Sequence, residues 1–292
     1  MQKILVTGAN GQMGSTFASL SEHYPEYDFY FHDKDTLDIC NLVAVESWFE
    51  THPVDYCINC AAYTAVDKAE ADKDLAEAVN VTGVVNLAKV CSKLGIPMIH
   101  FSTDYVYHNS SNLPYTESDP TEPKGIYAIT KLEGENQLQS IHPKSMVIRT
   151  SWVYSNFGHN FVKTMLRLGR EREQLTVVYD QIGAPTYAED LVVAIMHIID
   201  QVSNGQLDID KLPGVYNYSN EGVCSWYDFA IAIFEISGIE CEVQPISTEE
   251  YPTPASRPPF SVLNKSKFKT TFNQQIPQWR EALKRMLVKE EY

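Results

Sequence analysis

The sequence predicts an α/β fold: a doubly wound parallel sheet of the Rossmann kind, with a smaller, discontinuous C-terminal α/β domain. Two observations carry that reading. A β-branched run, Lys3 to Thr7, meets the turn Gly8-Ala9-Asn10-Gly11-Gln12-Met13-Gly14, and a helical pattern from Ser15 to Ser21 follows. Short apolar strands then alternate with helix-length segments, the order that right-handed βαβ crossovers require. The expected division is 1–165, with about 175–205, for a dinucleotide, and about 206–292, with parts of 151–187, for a substrate.

The glycine turn has the spacing G-x-x-G-x-x-G. Glycines allow a tight turn and close backbone approach, and the helix N-terminus offers free N–H groups to a pyrophosphate. Gly8, Asn10, Gly11, Gln12, Met13 and Gly14 are therefore candidate cofactor contacts. The next strand, Asp28 to His32, ends at Asp33, placed to accept from adenosine ribose hydroxyls. Lys34 beside it tolerates a phosphate, so NADH and NADPH both remain open.

A helix from Leu42 to Thr51 precedes the buried strand Tyr56 to Cys60, which ends in Ala61-Ala62-Tyr63-Thr64. Small residues at a strand end let a flat ring or a diphosphate pass close to the backbone. A helix, Leu75 to Leu94, leads to the strand Met98 to Phe101, with Ser102-Thr103-Asp104 at its carboxyl end. Ligands of such sheets bind beyond those ends, where a hydroxyl can polarise a carbonyl oxygen.

Tyr127 and Lys131 follow, four apart. On a helix they share one face, one turn apart. An ammonium there favours the phenolate and lowers a value that is otherwise about 10. The pair is then expected to give and take a proton near neutral pH.

A strand, Met146 to Thr150, runs into Ser151-Trp152, where Trp152 is either core or a ligand platform. Helices are expected over 160–173, 188–201, 226–237 and 278–290, the third capped by Ser225 with Asp228 in its first turn. Strands are expected over 175–179, 215–218 and 241–246. The stretch Tyr251 to Phe260 holds four prolines and cannot be helical throughout. Arg257 sits in it, either to clamp a diphosphate bidentately or to pair with a nearby Glu.

Net charge is −15 over 292 residues, which leaves no basic surface for nucleic acid. No apolar run approaches the roughly 18 residues of a membrane span. The N-terminus enters a strand directly, without a signal-peptide pattern, so the expected location is cytoplasmic. Cys57 and Cys60 form a C-x-x-C inside an apolar strand, which favours packing over redox or metal chemistry.

The glycine turn, the Ser/Thr at a strand end and Tyr-x-x-x-Lys occur in the order seen in extended short-chain dehydrogenases/reductases. Within that superfamily the chain resembles the dTDP-4-dehydrorhamnose reductase family. The matching blocks include Thr64 to Glu70, Ser102 to Val106, Arg149 to Tyr154, Asp180 to Thr186 and Pro252 to Pro258. The resemblance implies reduction of a dTDP-sugar 4-keto group by NADH or NADPH, in nucleotide-sugar synthesis for cell-surface polysaccharide. By position, Tyr127 matches the proton donor, Lys131 its partner and holder of the nicotinamide ribose, and Thr103 the polarising hydroxyl. Asp104 and Trp152 match the sugar pocket, Asp38 and Ile39 the adenine edge, and Ala62, Tyr63 and Thr64 the middle of the cofactor.

Some members form a magnesium-bridged dimer through glutamates, one of them just after the glycine turn. Ser15-Thr16 stand there in this chain, although Glu189 matches another of the set. No metal is therefore expected, and monomer or homodimer stays open. Two other readings share the scaffold: a nucleotide-sugar epimerase or dehydratase, and a non-catalytic NAD(P)-binding regulatory subunit.

Overall fold

The computed structural model describes residues 1–109 and 111–289. Its centre is a six-stranded sheet with every neighbouring pair parallel. In chain order the strands are β1 (Gln2–Thr7), β2 (Tyr27–His32), β3 (Tyr56–Asn59), β4 (Met98–Thr103), β5 (Met146–Thr150) and β6 (Gly214–Tyr218). They lie in the spatial order β2-β1-β3-β4-β5-β6. Strand order reverses between β1 and β3, and ligands of open α/β sheets bind at such a switch point.

Alternation along the strands makes two cores. Ile4, Val6, Ile58, Ile99 and Ile148 face one side, against Phe17 and the apolar stripe of the helix Ala188–Ser203. Leu5, Cys57, Met98 and Val147 face the other, against Val45, Leu87 and Leu138 from three helices. Each fully buried side chain of this kind contributes about 1.5–3 kcal/mol. Cys57 is therefore packing, and all six cysteines are free thiols.

A separate core joins the helices Phe161–Glu171, Trp226–Ser237 and Trp279–Lys289 over the parallel strands Gln174–Val178 and Glu242–Ile246. The middle helix has the expected start, with Ser225 and Asp228 forming a full capping box. Glu290, the expected end of the last helix, lies outside the described residues. Among the described residues no helix is long and apolar enough to cross a membrane.

Four local expectations need correction. The glycine-turn helix begins at Gln12, not Ser15, because Gly11 already ends the turn. The helix before β4 is interrupted: Lys73–Glu77 passes through a π-helical stretch, Ala78–Gly83, before Val84–Leu94. β4 runs on to Thr103, since Ser102 and Thr103 pair with Arg149 and Thr150 of β5. The expected domain division also places β6 in the wrong layer. That strand closes the main sheet beside β5, and the unforeseen helix Ser266–Phe272 packs Phe268 and Phe272 on it.

Candidate active site

Two glycines shape the turn after β1 by close backbone approach. A Cβ on Gly8 would stand 2.5 Å from the Ala61 nitrogen, and Gly8 has φ +67°, a left-handed value that disfavours other residues. A Cβ on Gly14 would stand 2.3 Å from the Gly8 carbonyl oxygen. The turn therefore presses against the end of β3 at the switch point. Gly11 caps the helix Gln12–Leu20 without any side-chain bond, so its first N–H groups stay available to an anion. Gln12 is held from outside: it donates to the Val153 carbonyl (3.2 Å) and accepts from Ser155 and Asn160. Met13 packs beneath on the first core.

Asp33, just beyond β2, accepts from the Asn10 side chain and from the backbone N–H of Asp35 (3.0 Å) and Thr36 (3.2 Å). The bonds from Asp35 and Thr36, led by the one from Asp35, hold its carboxyl below the usual range. Asp38 is exposed and accepts from Cys40 N–H, whereas the Ile39 side chain is buried against Gly83. Ala62 is half-buried and Thr64 exposed. Tyr63 is fixed between them, its backbone N–H donating to Asn80 Oδ1 at 2.9 Å and its hydroxyl to Asp72 at 2.8 Å.

Tyr127 and Lys131 lie on the helix Ile126–Ile141, as their spacing requires. Gly125 precedes it with φ +83° and no side chain to cap it. Glu70 performs that task from elsewhere, accepting from Ile126 N–H at 2.8 Å. The helix packs so closely on the π-helical stretch that a Cβ on Gly134 would stand 2.1 Å from the Asn80 carbonyl oxygen. Asn80 also donates to Thr130 at 3.1 Å. A π-bulge, a glycine and a remote cap thus set where Tyr127 stands.

Thr103 ends β4, and its hydroxyl donates to Asp104 Oδ1 at 3.2 Å. The same hydroxyl also acts on Tyr127 and draws that phenol's pKa down. Burial is the larger effect and pushes Tyr127 up to about 12. The expected acidification by Lys131 is therefore corrected. The amine turns the other way, donating to the Phe101 carbonyl at 2.6 Å and lying 3.4 Å from His100 Nε2. Burial brings Lys131 down to about 8, against the pull of Glu135 one turn along. Asp104 is buried, with Oδ2 unpartnered, and burial raises it to about 7.

On the other side of the strand ends stand aromatic rings. Trp152 has φ +48°, a strained value for a bulky residue, costing about 1–3 kcal/mol. Its ring stacks on Trp226 with centroids 3.6 Å apart, in space left by Gly183. Trp226 lines a cleft of about 550 Å³ together with Phe161, Met165, Leu175, Tyr251 and Arg257. Arg257 grips Asp67 through two nitrogens, at 2.7 and 3.1 Å. Its partner is thus an aspartate 190 residues away, not a nearby Glu.

Sequence reasoning missed Glu70, Asn80, His100, Glu135 and Trp226. Glu135, buried, takes Arg149 bidentately and accepts from Ser102 behind Lys131. For Asn80 and His100 the available signal was a polar side chain inside an apolar stretch, which needs a partner when buried; Glu70, Glu135 and Trp226 carried no such signal.

A glycine turn at the switch point of a parallel sheet, with a hydroxyl at the end of β4 and a phenol and an amine on the helix that follows, is the arrangement of extended short-chain dehydrogenases/reductases. The family described as "RmlD substrate binding domain" matches residues 1–291. A dTDP-4-dehydrorhamnose reductase of Sinorhizobium fredii is 41% identical over 98% of this chain and 96% of its own. The Bacillus subtilis spore coat polysaccharide biosynthesis protein SpsK is 38% identical over 98% and 97%. A crystal structure of the Bacillus anthracis dTDP-4-dehydrorhamnose reductase in complex with NADP superposes with TM-score 0.92, at 40% identity, over 99% of this chain and 100% of that one. This chain belongs to the dTDP-4-dehydrorhamnose reductase family.

Proposed function

We propose that the protein reduces the 4-keto group of dTDP-4-dehydro-L-rhamnose to give dTDP-L-rhamnose, with NADH or NADPH. The observation that carries this reading is the meeting of Thr103, Tyr127 and Lys131 at the carboxyl end of the sheet, beyond the glycine turn. Gly8, Gly11 and Gly14 let the turn close tightly on itself, so that the free amides at the start of Gln12–Leu20 can hold a pyrophosphate, with Asn10, Gln12 and Met13 in the same turn. Asp33 reads the ribose, Asp38 and Ile39 border the adenine, and Ala62, Tyr63 and Thr64 flank the middle of the dinucleotide. NAD(P)H, when bound, supplies the hydride.

The residues handle the oxygen. As a ketone is reduced, charge builds on its oxygen, so donors are needed there. Thr103 offers a hydroxyl. Tyr127, with its pKa near 12, keeps its proton at neutral pH and can hand it to a far more basic alkoxide. Reduction needs a protonated phenol, so the high value suits this direction. Lys131, one turn along the helix from Tyr127, would hold the nicotinamide ribose when the cofactor binds. Trp152 and Asp104 border the sugar, and the apolar cleft ending at Arg257 takes the nucleotide diphosphate. In this reading the division is functional: the sheet holds the dinucleotide, and the third core with its proline-rich loop holds the sugar nucleotide.

The test is NAD(P)H oxidation with dTDP-4-dehydro-L-rhamnose, run beside Tyr127→Phe. We expect one NAD(P)H consumed per sugar, and kcat lower by about 100- to 10,000-fold in the variant. Equal rates would remove Tyr127 from the reaction; no net NAD(P)H consumption would point to an epimerase.

A further inference from the structure

One polar rung crosses the apolar sheet. Thr7 of β1 pairs in register with Asn59 of β3, and Asn59 with His100 of β4. All three are buried, at 1%, 1% and 0% exposure. Their side chains are bonded in sequence: Thr7 Oγ1 to Asn59 Oδ1 at 2.6 Å, then Asn59 Nδ2 to His100 Nδ1 at 3.0 Å. His100 Nε2 then lies 3.4 Å from Lys131 Nζ. The rung starts one residue before the glycine turn and ends at the amine of the Tyr127 helix.

Its direction is determined from one end. The backbone N–H of Ala61 donates to Asn59 Oδ1 at 3.1 Å, and a backbone amide can only donate. The oxygen of the Asn59 amide must face it. The NH₂ group then faces His100 Nδ1, which must accept. A neutral imidazole that accepts at Nδ1 carries its proton at Nε2. That N–H points at Lys131. An ammonium has only donors, so two N–H groups would oppose each other there. A neutral amine has a lone pair to receive the bond, while it still donates to the Phe101 carbonyl.

We propose that His100 is a positioning residue of this site: held as its Nε2–H tautomer by Asn59, it favours the neutral amine of Lys131 over the ammonium ion. The other titratable group acting on Lys131 is Glu135, one turn along its own helix. Arg149 from β5 and Ser102 from β4 both engage Glu135, which tempers its pull on the amine. The burial that brings Lys131 to about 8 acts in the same direction as His100. With a midpoint near 8 the ammonium still leads at neutral pH, by about ten to one, and the amine is close enough in energy to take part in proton transfer.

The role of Lys131 beside Tyr127 rests on the reductase reading, but the test reads the amine itself. In protein labelled with ¹⁵N-histidine and ¹³C-lysine, without added cofactor, we expect His100 to show a bare Nδ1 and a protonated Nε2. Lys131 should titrate near 8. His100→Leu removes the opposing N–H and should raise the Lys131 midpoint. Asn59→Asp presents an acceptor to Nδ1, turns the tautomer over and should raise it further, by a tenfold or greater gain in proton affinity. A wild-type Nδ1–H tautomer would overturn the proposal, whatever the variants do. So would a Lys131 midpoint that His100→Leu leaves in place while Asn59→Asp moves it, because charge alone would then be responsible. A protein with the expected spectra but no reductase activity would keep this inference and lose only the function proposed above.

Discussion

The two halves of the candidate site are built from different materials. The glycine turn is a backbone device: Gly8 against Ala61, Gly14 against the Gly8 carbonyl, and free amides at the start of Gln12–Leu20. The sugar-nucleotide half is a side-chain device: Trp152 on Trp226, and Arg257 on Asp67. Backbone contact tolerates no added atom, whereas side-chain contact can rearrange. The first half should therefore fail abruptly on substitution, and the second by degrees.

Gly14→Val tests the abrupt half and should have the largest effect. Its Cβ has no room beside the Gly8 carbonyl, so the turn must shift. Moving the turn withdraws two or more amide bonds from the pyrophosphate, each about 1.5–3 kcal/mol when charge-assisted, a loss of about 100-fold or more. We expect NADPH affinity, read by quenching of protein fluorescence, to fall at least that far while the sugar-nucleotide cleft keeps its ligand. Undiminished NADPH binding would break the contrast.

Arg257→Ala tests the graded half. A charge-assisted contact contributes about 1.5–3 kcal/mol, so KM for the sugar nucleotide should rise about 10- to 100-fold. KM for NADPH should stay put. Equal rises in both would mean that the Asp67–Arg257 pair braces the whole fold and does not serve one ligand.

Asp104→Asn sharpens the comparison through pH. Burial raises this carboxyl from 3.8 to about 7, so between those values the folded state keeps a proton that the unfolded state has lost. Stability therefore falls as pH rises through that window, and the loss is complete above it. Asn carries no such penalty. The melting temperature of Asp104→Asn should gain on the wild type between pH 5 and pH 8. A constant gap across that range would show that Asp104 does not ionise inside the fold.

The smallest effect belongs to Asp33→Ser, at the exposed edge of the cofactor half. Asp33 is already organised by Asn10, Asp35 and Thr36 to accept from a ribose hydroxyl. Removing its charge should shift the kcat/KM ratio several-fold from NADH toward NADPH. An unchanged ratio would assign cofactor choice to Lys34 or to another neighbour.

Much of the fold was legible because it is local. The strand–turn–helix at residues 2–20, the Ser225 capping box and the helix face shared by Tyr127 and Lys131 each depend on residues a few positions apart. The alternation of short apolar strands with helix-length segments announced the parallel sheet. Family blocks placed Thr103 and Arg257 among the candidates without showing what either touches.

By itself, the sequence determined most of the secondary elements, the parallel sheet and the reactive groups Thr103, Tyr127 and Lys131, since propensity and periodicity act over one or two turns. Only the tertiary structure decided what each group faces. Lys131 meets a carbonyl 30 residues away, Arg257 an aspartate 190 residues away, and Glu70 caps a helix 56 residues on. Burial then raised the Tyr127 phenol that spacing alone had made acidic. Desolvation and hydrogen-bond direction depend on the complete surroundings of an atom, and no stretch of neighbouring residues contains them.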